Sequence, residues 1–281
     1  MRTPFRLEPL IHAHLIDEVI GQLQSGKEAE VYIVRCGDEL RCAKVYKEAN
    51  NRSFKNMTQY TEGRKVRNSR QARAMGKKSR YGKQEQEAAW QSTEVEAIYL
   101  LDAAGVRVPK PYDFYEGVLL LEMITDAEGN AAPRLNDVPL TKSQAQEHHE
   151  FLVRQAVKML CAGLVHGDLS QFNVLVSDRG LVIIDFPQAV QATANNAFSI
   201  FERDLIQLTA FLGRFDPALL RTNFAKEIWK LYENGKLLPD SKLTGLYTDT
   251  RKAADVSAVM AEIDDARMEE MMRRGLMPRK R

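Results

Sequence analysis

The sequence predicts an α+β chain of two lobes, a small sheet-rich one followed by a mostly helical one, with room for a ligand between them. Three observations carry this expectation. Residues 18–47 alternate apolar and polar side chains across short turns. Residues 84–103 and 141–164 repeat apolar positions three and four apart, and from about 198 the chain is a series of amphipathic helices. With 281 residues, 44% of them hydrophobic, a sizeable core can form and global disorder is excluded.

In chain order, EVIGQLQSGKEAEVYIVRC (18–36) reads as two strands around a turn, and ELRCAKVYK (39–47) as a third strand. A polar stretch follows, about 48–83, expected to be a flexible loop. Within it, residues 64–83 hold nine Lys or Arg and no Asp or Glu. Trp90, Val95, Ile98 and Leu101 form the apolar stripe of the next helix, and residues 107–124 read as two more strands. The lobe boundary falls here, giving an N-lobe of 1–122 and a helical lobe of 123–281 that together make one domain. Thr141 is placed to N-cap the long helix behind it, and residues 181–184 form a short buried strand. There are no internal repeats.

Several classes are excluded or disfavoured. No apolar run reaches the ~20 residues of a membrane helix. The start, MRTPFRLEPLIHAHLIDEV, lacks an apolar core with a small-residue cleavage site, so secretion is not expected. Cys36, Cys42 and Cys161 show no metal-binding spacing and fit a reducing cytosol, so a cytoplasmic location is expected. The net charge of +2 decides nothing, because the charge is unevenly spread.

The chemistry lies in HGDLSQFNVLV and LVIIDF. Asp168 and Asn173 share one loop, and Asp185 ends a strand twelve residues after Asn173. Phosphoryl transfer needs a carboxylate near the acceptor hydroxyl and oxygen ligands that hold a cation on the phosphates. These three residues supply those parts in order. Isolated Asp and Asn residues usually do no more than cap turns, but three at this joint spacing between apolar runs outweigh that reading.

The upstream half should supply a lysine on a strand and a glutamate on the next helix. Lys44, between Ala43 and Val45, points opposite to those apolar neighbours and suits the phosphates. Glu94 is favoured over Glu96 as its partner. GQLQSGKEA (21–29) imitates a Walker A motif up to Glu28, where Ser or Thr is required, and a strand rather than a helix follows it. A turn joining two strands over the phosphates explains the same residues, with the Ser25 hydroxyl facing the nucleotide.

The whole set resembles the RIO protein kinases, an atypical branch of the protein-kinase fold. Their phosphate loop is matched by Ser25 to Tyr32, their catalytic H-x-D-L-S-x-x-N by His166 to Asn173, and their I-I-D by Ile183 to Asp185. The sequence departs from ordinary protein kinases at HGD in place of H-R-D and DFP in place of D-F-G. The resemblance implies a bilobal ATP-dependent serine/threonine kinase that uses Mg2+, or Mn2+, and that can act mainly as an ATPase. It implies Asp168 as the catalytic Asp, Asn173 and Asp185 as metal ligands, and Lys44 on the phosphates. Ser25 and Lys27 would belong to the phosphate loop, Val31, Ala43 and Glu94 to the nucleotide site, and the backbone of Glu122 and Ile124 to the adenine contact. It also implies that Asp185 can carry a transient phosphate.

Gly167 leaves no basic residue to receive a phosphorylated activation loop, and Pro187 fixes φ against a D-F-G-type flip. Asp204 is placed to hydrogen-bond the catalytic-loop backbone, with a plain surface Asp as the alternative. The cations of 64–83 would attract phosphate backbones, so an RNA or ribonucleoprotein contact is expected there beside ATP and a protein substrate. A solvated loop without a binding role is the plain alternative. Ser69 and Ser79 are autophosphorylation candidates. Two rival functions remain: a small-molecule phosphotransferase of the aminoglycoside or choline kind, from which Ser170, Gln171 and Phe172 depart, and a nucleotide-binding scaffold without transfer.

Overall fold

A computed structural model describes residues 4–26, 29–47 and 93–247, and those up to Gly245 form one compact unit. Residues 248–281, expected in the helical lobe, lie outside the described residues, as does the basic stretch 64–83. The first lobe is an antiparallel sheet of strands β1 (Glu18–Ser25), β2 (Ala29–Cys36), β3 (Glu39–Tyr46), β4 (Pro111–Tyr115) and β5 (Val118–Glu122), in the order β1-β2-β3-β5-β4. Period-2 alternation sends successive side chains to opposite faces. Ala43, Val45, Val118 and Leu120 fill one face, and Tyr46 and Leu119 the other. With both faces covered, the unbroken apolar run of β5 needs no polar alternation.

The outer face is closed by a feature the sequence pattern did not announce. A single 3-10 turn leads into the short helix α1 (Glu8–His12), whose Leu10 packs with Leu7 and Ile16 under Tyr32, Val34 and Ala43. Pro9 sits in the first turn, where its missing N–H would be unpaired anyway. The inner face carries helix α2 (93–103), whose Ile98 and Leu101 are buried where the apolar stripe placed them, together with Ala97, while residues 84–92 of the expected helix, Trp90 among them, lie outside the described residues.

The second lobe is built on helix α3 (Lys142–Cys161). Thr141 caps it as expected, accepting from the Gln144 N–H while the Gln144 side chain accepts from the Thr141 N–H. Its buried side chains recur at helical spacing, with Leu152, Val153, Ala156, Val157 and Leu160 facing the core. Behind it come the two-residue strand β6 (Leu164–Val165), the hairpin β7 (Val174–Ser177) and β8 (Gly180–Ile183), and β9 (Val190–Gln191), which pairs with β6. Helices α4 (Ala197–Leu212) and α5 (Phe224–Glu233) complete the lobe, and Trp229 of α5 packs among Phe198, Phe201 and Tyr232.

The α1 cap makes a direct prediction. Leu10→Ala removes a fully buried side chain and should cost about 2–5 kcal/mol of unfolding free energy. Urea denaturation reads this, and a loss below about 1 kcal/mol would show that α1 is not part of the core.

Candidate active site

Strand β3 brings the first functional side chain to the inner face. Lys44 Nζ donates to Glu94 Oε1 at 2.5 Å and to Asp185 Oδ1 at 3.0 Å. Glu94, at the start of α2, is buried, whereas Glu96 is exposed, so Glu94 is the partner. Burial works against the Lys44 charge, but the Asp185 and Glu94 carboxylates facing it raise it well above the ordinary lysine range. Lys44 in turn holds Asp185 below the usual carboxylate range, against the effect of burial.

Alternation along β3 corrects one expectation. Ala43 neighbours Lys44 and therefore faces the other way, fully buried against the α1 side. The residue two before Lys44, Cys42, lines the cleft in its place, and burial pushes its thiol up to about 12. Val31 pairs in register with Lys44 and does line the cleft. Ser25 does not line it, since its hydroxyl lies 3.2 Å from Lys47 Nζ and 3.5 Å from Glu30. Gly26, which does line the cleft, has its carbonyl held by Lys47. Lys27 lies outside the described residues.

The cavity is about 480 Å³, walled above by Val31 and Lys44 and below by Leu175 and Asp185. Ile124, on the segment that joins the lobes, also lines it, and its N–H has no hydrogen-bond partner among the described residues. Its carbonyl accepts from Ala132 N, and the Glu122 N–H is taken by the Lys110 carbonyl. Of the expected hinge contacts, the Ile124 N–H is the donor left for a ligand.

The loop from His166 to Asn173 is fastened from below. Asn173 is buried, and its Nδ2 donates to the Asp168 carbonyl at 2.9 Å and to Asp168 Oδ2 at 3.1 Å. Its backbone carbonyl accepts from Ile184 N, so the loop and the strand carrying Asp185 are tied one residue from that carboxylate. His166 Nδ1 accepts from the Asp168 N–H, so Nε2 carries the proton and donates to the Ile184 carbonyl at 3.1 Å. Burial lowers His166 to about 4 and keeps it neutral. Asp185 has φ +72, a left-handed conformation that is uncommon outside Gly, Asn and Asp.

Gly167 explains the missing arginine of H-R-D. At φ +87, a Cβ there would stand 2.1 Å from the Gln188 carbonyl oxygen, so no side chain fits. Its N–H donates to Asp204 Oδ2 at 2.8 Å, and its carbonyl accepts from Arg203. Asp204 is thus the buried partner of the catalytic loop, and burial raises it to about 6 against the pull of Arg203. Asp168 is also raised, by burial first, although the Asn173 hydrogen bond opposes this. Sequence reading missed Arg203 and Arg134, the second of which lines the cleft. A basic residue after the Pro of the post-hinge segment was the available signal.

A five-stranded antiparallel sheet over a helical lobe, with a lysine–glutamate pair above and Asn173 and Asp185 below the cleft, Asp168 being bonded to Asn173 but not itself lining the cavity, defines a bilobal protein-kinase-like fold. A family model for the RIO domain matches residues 30–225, and the chain belongs to that family. It is 33% identical to the RIO-type serine/threonine-protein kinase Rio1 of Haloferax volcanii, over 71% of this chain and 64% of that protein. It is 28% identical to the serine/threonine-protein kinase rio1 of Schizosaccharomyces pombe, over 78% of this chain and 43% of that one. The chain therefore spans less than two thirds of the length of these relatives. The solved Rio2 kinase–ADP/Mg2+–phosphoaspartate complex of Chaetomium thermophilum is similar in fold, with a TM-score of 0.58 and 17% identity over 94% of this chain and 75% of that one.

The buried His166 predicts a pH dependence of stability. Its folded value, about 4, lies below the ordinary 6.5, so its contribution is present above pH 6.5 and lost as pH falls toward 4. The difference in unfolding free energy between wild type and His166→Asn should shrink by about 3 kcal/mol between pH 7 and pH 4. A difference that stays constant with pH would mean that His166 charges freely in the fold.

Proposed function

We propose that this chain is an ATP-dependent serine/threonine protein kinase of the RIO type, with a cytoplasmic site of action. The observation that carries the reading is Lys44 held by Glu94 and Asp185 at the wall of the cavity, with Asp168 and Asn173 bonded to each other on the adjoining loop. The residues fit ATP and a divalent cation. Val31, Ile124 and Leu175 offer an apolar slot, and the Ile124 N–H offers a donor for adenine. Asn173 Oδ1 and the Asp185 carboxylate offer hard oxygen ligands of the kind Mg2+ or Mn2+ takes beside phosphate oxygens and water. When bound, the cation neutralises charge on the phosphates.

In this reading Lys44 positions the phosphates, and the Asp168 carboxylate accepts the proton of the substrate hydroxyl. The hydroxyl oxygen bonds to the γ-phosphorus as the bond to the β-bridging oxygen breaks, and ADP leaves. Asp168 sits above the ordinary carboxylate range, a shift toward better proton acceptance. A second outcome is favoured by Asp185, which Lys44 keeps ionised. Its oxygen attacks the γ-phosphorus to give an acyl phosphate and ADP, and water then releases phosphate, making the protein an ATPase switch.

The protein acceptor includes the chain itself, with Ser69 and Ser79 as sites. The same basic stretch, 64–83, supports an RNA or ribonucleoprotein contact through its nine cations. No described helix is long and apolar enough to cross a membrane.

The test follows γ-labelled phosphate from ATP with Mg2+, alone and with a generic protein substrate. Label on serine, lost by at least about 100-fold in Asp168→Ala and Asp185→Asn, is the expected result. Free phosphate without stable label, lost in both variants, selects the ATPase. Intact ATP binding without turnover in the wild type would sink the catalytic reading and leave a scaffold. Transfer to an aminoglycoside or choline in place of protein would establish the small-molecule alternative.

A further inference from the structure

Arg134 belongs to none of the roles above, and its surroundings point to a ligand. The chain leaves the hinge through a small hairpin closed by the bridge between Thr125 and Ala131, then runs extended through Pro133 and Arg134. This run is fixed on two sides. The Pro133 carbonyl accepts from Val176 N, Arg134 bridges Leu175, and Leu135 sinks completely into the core. Alternation along an extended segment then turns Ala132 and Arg134 the other way, and both line the cleft.

Of the two cations that the described residues bring to the cavity wall, Lys44 is committed to Glu94 and Asp185. Arg134 is half-buried, and its guanidinium makes no hydrogen bond or ion pair among the described residues. Its charge reaches the Asp185 carboxylate without a direct contact. A planar fork of five donors, partly withdrawn from water and left unmatched, suits an incoming anion with paired oxygens. Its place narrows the choice. Arg134 lies on the cleft floor beside Leu175, two residues past Ala132, which bonds the hinge residue Ile124. Arg134 shares one cavity with Ile124 and Asp185 and its charge acts on the latter, so the anionic part of a nucleotide with its base at Ile124 would come within its reach.

We propose that Arg134 is a specificity-determining residue whose guanidinium binds a phosphate oxygen that ATP and ADP share, so that the cleft selects phosphorylated adenosine over adenosine. The inference rests on the nucleotide reading of the cleft.

The experiment titrates the 281-residue chain, with Mg2+ present, using ATP, ADP and adenosine for wild type, Arg134→Met and Arg134→Lys. Arg134→Met should weaken ATP and ADP alike by about tenfold or more and leave adenosine within about twofold. Arg134→Lys should fall between, because it restores the charge but not the fork. Unchanged ATP affinity in Arg134→Met overturns the proposal, as does a loss for ATP alone, which would place the contact on the terminal phosphate. Equal losses for all three ligands, with a lowered melting temperature before nucleotide is added, would show a purely structural role and overturn it too. Wild-type protein that binds none of the three takes down the nucleotide reading itself, a result separable from the others because it appears before any substitution.

Discussion

Everything in the cleft depends on one ion cluster. Lys44 comes from the sheet, Glu94 from the helix against it and Asp185 from the segment two residues past β8 in the helical lobe, so three separate parts of the chain meet at one ammonium group. Such a cluster is a poor source of net stability, because taking charges out of water costs about as much as their attraction returns. Its value lies in the penalty for breaking it. Removing Lys44 leaves two carboxylates facing each other in a partly buried site, so the register of α2 on β3 and the approach of Asp185 are specified together. The left-handed backbone at Asp185 belongs to the same constraint, since a strained residue persists only where its surroundings over-determine it.

The catalytic loop follows a second logic, in which the backbone is held from inside the lobe rather than by a mobile activation segment. Gly167 gives up a side chain so that the Gln188 carbonyl can pack against its Cα. Asp204 and Arg203 then take its N–H and carbonyl. His166, neutral and buried against Phe186, links the Asp168 N–H to the Ile184 carbonyl. An arginine at position 167 could not coexist with this packing. The geometry of this loop is therefore set by packing and hydrogen bonds within the lobe.

How much of this the sequence displayed follows from which interactions are local. Strands, helices and the Thr141 cap were legible because period-2 and period-3.6 patterns and a capping box are written in neighbouring residues. That Asn173 and Asp185 reach one cleft, with Asp168 bonded to Asn173, was legible by spacing, and Glu94 was separable from Glu96 once Lys44 had been assigned a face. Ala43 was misplaced although the rule that corrects it, alternation about Lys44, was already in use, and it hid Cys42 at the cleft wall. Ser25 was drawn toward a ligand because its ties to Glu30 and Lys47 span a hairpin that no local pattern reveals. Helix α1 is too short for periodicity to register. Asp204 meets Gly167 across more than thirty residues as its motif suggested, but nothing local announced that Arg203 would take the Gly167 carbonyl or that a bridge to Leu175 would set Arg134.

The hinge shows what such hidden partners do for function. Glu122 ends β5 just before the segment that offers the Ile124 N–H, and Arg107 grips its carboxylate with two nitrogens, at 2.7 and 3.0 Å. The Lys110 N–H adds a third bond, and these contacts hold Glu122 below the ordinary carboxylate range although burial opposes them. Arg107 is itself anchored in the other lobe, its N–H on Gln155 of α3 and its carbonyl on Ile183 of β8. One residue therefore joins the last strand of the sheet, the central helix and the strand that carries Asp185. Displacing the hinge relative to Asp185 would have to break a bidentate, charge-assisted pair or two backbone bonds, each of which is stronger than an ordinary surface contact. The spacing of the Ile124 N–H and the Asp185 carboxylate is consequently set by covalent and hydrogen-bonded geometry through Arg107.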